Sequence, residues 1–492
     1  MRLLMNTRNL GLTCLLLWPF MALGAAAPLG LALGDDDEKG KEEEEEKESE
    51  PIPEEDKDAY FALLNADIYT GTGTLLRGAG LLSKNGKIVE IGYEILIPGR
   101  DYYADIEEDE RDFRVEILDA GGMRVYPGLV AISSSGLTGA SGDFRDSIDP
   151  FSSNMILGLA AGITSTGQGR AAVKLKRYIS QDPPLAYDFD GVVLSSKTYA
   201  SMSWSSSSAK RTLREKFTRA AEYLREYHQW QIDVKKDKEL KEPKKSGVDG
   251  STLEVLKGEL LPRFRADERL DLLGIARFAQ EFGFRPVIDG CREGWTVADE
   301  LGRAGAMAIL TARDRRDKGE ELRREGGSSI ENATLLSAAG VQVAIVPSSK
   351  GISLSGIVGR DIMHLTVEVD FAIRGGLSER LALDSITRVP ARMMGISHRV
   401  GTLEVGKDCD LIVTDGDLLH YETFVQYAVV DGDLVYDKQD ELYYAHIRPR
   451  PESSLAPEET LDAGENEGSQ DEDEDDGDGD GDEDEEKEDD EE

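Results

Sequence analysis

Residues 125–137 read Val-Tyr-Pro-Gly-Leu-Val-Ala-Ile-Ser-Ser-Ser-Gly-Leu, and no other stretch constrains the fold as tightly. An apolar, β-branched run turns at Pro127-Gly128, continues through Leu129, Val130, Ala131 and Ile132, and ends in three serines and a glycine. A short apolar run bounded by turn residues predicts a buried strand that opens into a loop. It reads as the first strand of a barrel.

Beyond residue 150 helical and strand spacing alternate. Helical spacing at 154–161 stops at Gly162, which fits a C-terminal cap before a strand at 163–166; Gly167-Gln168-Gly169 and a strand at 171–175 come next. Further on, strands at 261–264, 285–288, 306–310 and 341–346 are interleaved with helices at 270–282, 296–303 and 330–339, and 365–373 and 378–388 finish the barrel. This is the pattern of a parallel sheet, closed or doubly wound. One excursion interrupts it, at about 201–250: a serine-rich loop, a charged amphipathic helix at 209–234 and a lysine-rich linker at 235–245. The helix carries Leu213, Phe217, Ala220, Leu224 and Trp230 on one stripe, which predicts packing against the core.

The flanks are β-rich. Between 60 and 126 short strands are divided by turn residues, and Asn85-Gly86 between apolar runs signals a hairpin. Near the other end, residues 400–413, a strand at 425–430, a turn at Asp431-Gly432 and a strand at 434–436 supply matching material.

Ile117-Leu118-Asp119-Ala120-Gly121-Gly122 followed by Pro127-Gly128-Leu129 resembles the opening signature of the amidohydrolase superfamily. Gly401-Thr402-Leu403-Glu404-Val405-Gly406-Lys407-Asp408-Cys409-Asp410 resembles its return signature, and Gly162-Ile163-Thr164-Ser165-Thr166 and 389–395 are similar to motifs in between. The similarity is to the imidazolonepropionase-like branch and spans about 60–436. It implies a (β/α)8 TIM-like barrel inserted in a small β-sandwich domain formed by both ends of the chain. The implied division is 60–128 and 399–447 for the sandwich and 129–398 for the barrel.

In that family the barrel holds zinc or another divalent metal, which activates water against a C–N bond of a cyclic amide or peptide-like substrate. The resemblance places the metal ligands at Ser133 and Ser135, where the family has His-x-His, at Arg265 and Gly290, where it has histidines, and at Ser348, where it has aspartate. None of these is a good ligand. Zinc wants imidazole, thiolate or carboxylate at about 2.0 to 2.2 Å, and a guanidinium stays protonated with only donors to offer. The five histidines, His228, His364, His398, His420 and His446, include no His-x-His and no pair on one helical turn. A metal held by carboxylates alone would have to use Asp267, Asp289 and Glu293.

The expectation is therefore a family member without cofactor and without assigned catalytic residues. Its pocket candidates are Ser133, Ser135, Arg265, Asp267, Asp289, Gly290, Glu293 and Ser348, with Arg265 taking the place of the dication and pairing with Asp289 or Glu293. Two roles fit: a homo- or hetero-oligomeric partner of an active relative, or a binding protein for a small molecule or peptide. The alternative is an active hydrolase of cyclic amides or peptides using replaced chemistry. A serine hydrolase lacks its Gly-x-Ser-x-Gly elbow, and Cys291, beside Arg292, has no histidine neighbour in sequence to make it a nucleophile.

Charge is concentrated at the ends. Residues 35–59 carry 15 acidic against 4 basic side chains and residues 451–492 carry 24 against 1, so the ends hold 34 of the 40 net negative charges. Such segments, at 28–59 and 448–492, are expected to be disordered, and nucleic acid is excluded as a partner on charge grounds. At 1–27, Arg2 and Arg8, an apolar run from 10 to 23 and the small residues 24–27 read as a signal peptide, so export to a periplasmic or extracellular space is expected rather than a membrane anchor.

Overall fold

The computed structural model describes residues 57–106, 111–139, 148–177, 189–315, 326–353 and 359–441. Residues 1–27, which the sequence reads as a signal peptide, the acidic tail and all but the last three residues of the acidic segment before residue 60 lie outside them. No helix among the described residues is long and apolar enough to cross a membrane.

Five strands open the chain: β1 (Asp58–Tyr69), β2 (Leu75–Lys84), β3 (Lys87–Gly92), β4 (Phe113–Asp119) and β5 (Arg124–Pro127). The hairpin between β2 and β3 turns at Asn85 and Gly86, both at positive φ (48° and 78°), as a two-residue turn matched to strand twist requires.

After Gly128 comes β6 (Leu129–Ala131), then α1 (Ser153–Ala160), β7 (Ile163–Gln168), β8 (Ala171–Lys174), the short α2 (Phe189–Val192), β9 (Val193–Ser195) and β10 (Tyr199–Met202). Gly128 must be glycine: a Cβ there would lie 2.0 Å from the Thr164 hydroxyl oxygen. Here the structure departs from simple strand–helix alternation. Only Gly169 and Arg170 separate β7 from β8, too few for a crossover helix, so β8 runs antiparallel between β7 and β9 in a four-stranded sheet ordered β6-β7-β8-β9.

The second half is regular. α3 (Ser207–Asp233) and α4 (Gly250–Lys257) precede β11 (Leu261–Ala266), α5 (Arg269–Phe282), β12 (Val287–Gly290), a single 3-10 turn with α6 (Ala298–Arg303), β13 (Met307–Leu310), α7 (Asn332–Ala338) and β14 (Gln342–Ile345). These strands form a five-stranded, all-parallel sheet, β10-β11-β12-β13-β14. β12 starts two residues later than the sequence predicts because Pro286 has no N–H to donate to the ladder; its carbonyl instead accepts from Met307. α3 lays Leu213, Phe217, Ala220 and Tyr223 against the core, with the Phe217 ring 5.0 to 5.3 Å from Phe278, Phe282 and Phe284. Burial of that stripe, not the charged face, fixes the helix.

α8 (Leu365–Arg374), α9 (Glu379–Asp384) and α10 (Arg388–Met393) follow. The segment at 378–388 that finishes the barrel leaves the helix at 385, since the Ser385 carbonyl accepts from Ile345 and the Ile386 carbonyl from Val130. Pairing with both sheets overrides helical spacing there. The strands carry two cores. One face of β10, β12, β13 and β14 joins Val130, Ile132, Leu194 and α10 residues in an inner cluster; the opposite face packs against α1, α3, α5, α7 and α8.

The chain returns as β15 (Leu411–Thr414), β16 (Val425–Val430) and β17 (Asp433–Asp437). β15 pairs with β5, so both ends of the chain build one eight-stranded sheet, β17-β16-β15-β5-β1-β2-β3 with β4 on β1. At the junction Gly128 N–H donates to the Asp410 carbonyl. Lys174 on β8, fully buried, reaches across to Asp408 at 2.7 Å, Asp410 at 2.8 Å and Asp431 at 2.5 Å. The opening and return motifs are thus bound to each other and to the central strands.

Candidate functional site

The inner face of the parallel sheet is set by the two-residue period of its strands. Tyr199, Val287, Met307, Ile309 and Ala344 lie in the inner cluster. On the same face stand Arg263 and Arg265 of β11 and Asp289 of β12, with Arg265 and Asp289 in register. Arg263 is the residue that holds Asp289: its Nη2 lies 2.5 Å from Oδ2, and its guanidinium sits 5.2 Å above the Tyr199 ring. Lys350, beyond β14, brings Nζ to 3.9 Å from the same carboxylate oxygen.

The serine loop after β6 joins this group. Ser134 is buried, taking a 2.7 Å hydrogen bond from the Thr166 hydroxyl, while Ser133 is half-buried and Ser135 exposed. Ser135 N–H donates to the Lys350 carbonyl, and a Cβ on Gly351 would lie 3.0 Å from the Ser135 hydroxyl. Ser348 is exposed, its hydroxyl 3.4 Å from the Arg360 carbonyl.

The expected pairing of Arg265 with Asp289 or Glu293 does not form. Arg265 is exposed, and among the described residues nothing pairs with it. Asp289 is taken by Arg263, one pair deeper on the same strand, where desolvation strengthens the attraction. Glu293 lies past the turn that ends β12, is buried, and accepts from the backbone N–H groups of Arg269 and Gly327, each at 2.9 Å. It caps backbone away from the inner face.

Asp267 and Gly290 form a second small cluster. Gly290 has φ +106°, and a Cβ there would fall 2.4 Å from Asp267 Oδ1, a buried oxygen with no hydrogen-bond partner among the described residues. The other oxygen faces Arg292 Nη2 at 3.7 Å, and Arg292 gives its Nε to Asp314 at 2.5 Å.

This donor set does not fit a divalent metal. Ser133, Ser135 and Ser348 offer neutral hydroxyls, Arg265 a cation and Gly290 no side chain. Asp289 is bound by an arginine and Glu293 by amides. Among the described residues no group of three or more His, Cys, Asp or Glu side chains could hold an ion. His228 is exposed, and His364 gives Nδ1 to Asp361 at 2.6 Å. His446 lies outside the described residues. Cys291 and Cys409 are both free and buried. Burial pushes both thiols up to about 12, which leaves neither as a thiolate near neutral pH.

Sequence reasoning missed Arg263, Lys350 and Tyr199. Strand alternation places Arg263 on the face of Arg265 and could have found it; Lys350 in its loop gave no signal.

Parallel strands covered by helices, with polar side chains gathered at the ends of β11, β12 and β14, make an α/β scaffold of the kind that carries its site at the C-terminal ends of its strands. The chain belongs to the amidohydrolase family, whose model matches residues 189–441. Family membership supports hydrolase activity in general. The structure is similar to that of an amidohydrolase from Thermotoga maritima MSB8, with a TM-score of 0.56 and 22% identity over 77% of this chain and 100% of that one, a likeness of fold. In sequence it is 44% identical over 55 residues to N-acetylglucosamine-6-phosphate deacetylase of Danio rerio, 11% of this chain and 14% of the relative. It is 28% identical over 95 residues to amidohydrolase tasK of Hapsidospora irregularis, 19% of this chain and 10% of the relative. The chain thus spans a seventh or less of these curated relatives.

Proposed function

We propose that this protein keeps the barrel of its family without the metal-dependent hydrolysis, and acts as an exported binding protein whose ligand enters at the C-terminal ends of the strands. A closed barrel is supported by two links between the sheets: β9 and β10 are separated by only residues 196–198, and residues 385 and 386 bridge Ile345 to Val130. The reading rests on one observation. The five positions that the family resemblance assigns to metal ligands carry three serines, an arginine and a glycine, and the nearby Asp289 and Glu293 carboxylates are already bound by a guanidinium and by two backbone amides.

A carboxylate paired at 2.5 Å to arginine has little left to give a metal, and a guanidinium at a ligand position repels one. Serine hydroxyls, a guanidinium and carboxylates already bound by other groups do not lower the pKa of water toward neutrality as a bound dication does. Export is the reading of the 1–27 leader, and the mature N-terminus of protein recovered from outside the cytoplasm tests it.

The decisive experiment is elemental analysis of the purified full chain together with a hydrolysis screen over cyclic amides, N-acyl amino acids and dipeptides, with and without added zinc, manganese or nickel. The expected result is substoichiometric metal and no turnover. Metal near one ion per chain, with chelator-sensitive hydrolysis, establishes the active-hydrolase alternative instead.

A further inference from the structure

We propose that the inner face at the strand ends binds an organic carboxylate, gripped by Arg265 with Lys350 and the Ser133 and Ser135 hydroxyls beside it. This assignment deepens the non-hydrolytic reading and rests on it.

The charge balance of that face carries the argument. Among the described residues three cations, Arg263, Arg265 and Lys350, stand around the Asp289 carboxylate. Arg263 takes Asp289 at 2.5 Å and Lys350 approaches the same oxygen at 3.9 Å, so the anion is shared by two cations while Arg265 has no partner among the described residues. A solvent-accessible surplus of positive charge attracts an anion. Ile132, Ile309 and Val346 lie buried in the inner cluster beneath it.

The polar groups converge. Ser135 N–H is tied to the Lys350 carbonyl, which sets the serine loop beside the lysine that approaches Asp289. Arg265 is in register with Asp289 on the neighbouring strand. Tyr199 adds a second observation: only 5% exposed, on the same face, it has a hydroxyl with no hydrogen-bond partner among the described residues. Buried hydroxyls of folded proteins almost always have a partner, and the ring that carries this one lies under the Arg263 guanidinium, 5.2 Å from its centroid.

Carboxylate is the class that fits best. The guanidinium fork accepts a carboxylate through two parallel N–H···O bonds. A monoanion is neutralised by the free arginine, whereas a phosphate dianion would meet Asp289 in the adjacent register position.

The test is calorimetric titration of the full-length protein with acetate, succinate and hippurate, with hippurate methyl ester and inorganic phosphate as comparisons. At least one carboxylate is expected to bind, and the ester at least tenfold more weakly. Arg265→Gln should weaken that binding by roughly 10-fold or more, the effect of losing a charge-assisted pair, and Arg265→Lys should recover part of it. The melting temperature without ligand should stay unchanged in both variants, separating lost recognition from lost fold. Binding to none of the three carboxylates, equal binding of hippurate and its ester, unaltered affinity in Arg265→Gln, or phosphate binding tighter than every carboxylate each overturns the assignment. Release of glycine and benzoate from hippurate after zinc loading would instead sink the non-hydrolytic reading while leaving the Arg265 dependence to be judged on its own.

Discussion

Arg263, not Arg265, neutralises Asp289: the Nη2 to Oδ2 distance is 2.5 Å although Arg265 is the residue in register with the aspartate. The two arginines sit on one face of one strand and differ in depth. Arg263 and Asp289 are each about one-fifth exposed, so removing the cation leaves a carboxylate largely cut off from water. Arg263→Leu should lower unfolding stability by roughly 2 kcal/mol, less than the loss of a fully buried partner, whereas Arg265→Leu should stay within ~0.5 kcal/mol of the parent, as exposed sites do. Urea unfolding of the two variants side by side checks this. Equal losses would mean that Arg265 is part of the fold's ion pairing after all.

Gly290 closes the route back to the family's metal site. Its φ of +106° lies where side chains are strained, and any Cβ meets Asp267 Oδ1 at 2.4 Å and the Ala266 carbonyl at 3.3 Å. Asp267 can turn aside; the backbone cannot. Gly290→Ala should therefore destabilise by about 2 kcal/mol, and Gly290→His by at least as much. Ser133→His and Ser135→His, on a half-buried and an exposed position, should be tolerated. Differential scanning calorimetry distinguishes them, and a Gly290→His variant as stable as the parent would refute the steric argument.

Much of this was legible in residues. Pro127-Gly128 and the Asn85-Gly86 hairpin follow from local chemistry, and the stripe on α3 named its buried face through Leu213, Phe217 and Ala220. Three things were not. The two-residue link at Gly169-Arg170 turns β8 antiparallel, a consequence of loop length that periodicity does not report. Residues 385 and 386 leave the helix because two sheets claim their carbonyls, which is tertiary pairing. Which arginine holds Asp289 depends on side-chain reach within a strand pair, and residue spacing is silent on it.

Asp370 gives the fold a pH dependence. It lines a cavity of about 210 Å³ with His364, His420 and Tyr421, and burial raises its carboxyl to about 6, with Arg374 opposing, Asp417 reinforcing and His420 opposing. A carboxyl with a folded pKa above its unfolded value of 3.8 binds more protons folded than unfolded between those limits. Its contribution to stability therefore falls as pH rises from 4 to 6. For a half-buried, solvent-screened group the change is on the order of 1 kcal/mol. Asp370→Asn should remove that slope from the stability–pH curve and raise stability at pH 7. Parallel curves for variant and parent between pH 4 and 6 would show that Asp370 titrates normally.

Lys174 is the residue on which the junction of the two chain ends depends. Burial works against its charge, yet Asp410, Asp431 and Asp408 hold its pKa above the usual lysine value. The carboxylates share it unequally. Asp408 also has Lys87 and Arg399, and is held below its ordinary pKa despite burial, whereas fully buried Asp410, with one oxygen unpartnered, is raised to about 6. Replacing Lys174 by methionine keeps most of the volume and removes the ammonium, leaving three acids facing each other. The loss at pH 7 should be about 3 to 5 kcal/mol, that of a broken buried pair. Without the cation all three carboxyls move up, so the variant gains stability as pH falls from 7 toward 5 and its deficit against the parent narrows. Adding Asp410→Asn to Lys174→Met should recover part of the loss at pH 7, because one of the stranded charges is gone. Guanidinium unfolding of both variants at pH 7 and pH 5 reads these outcomes. A Lys174→Met protein with undiminished stability at pH 7, or a deficit that does not shrink on acidification, would show that the three aspartates are satisfied without the lysine.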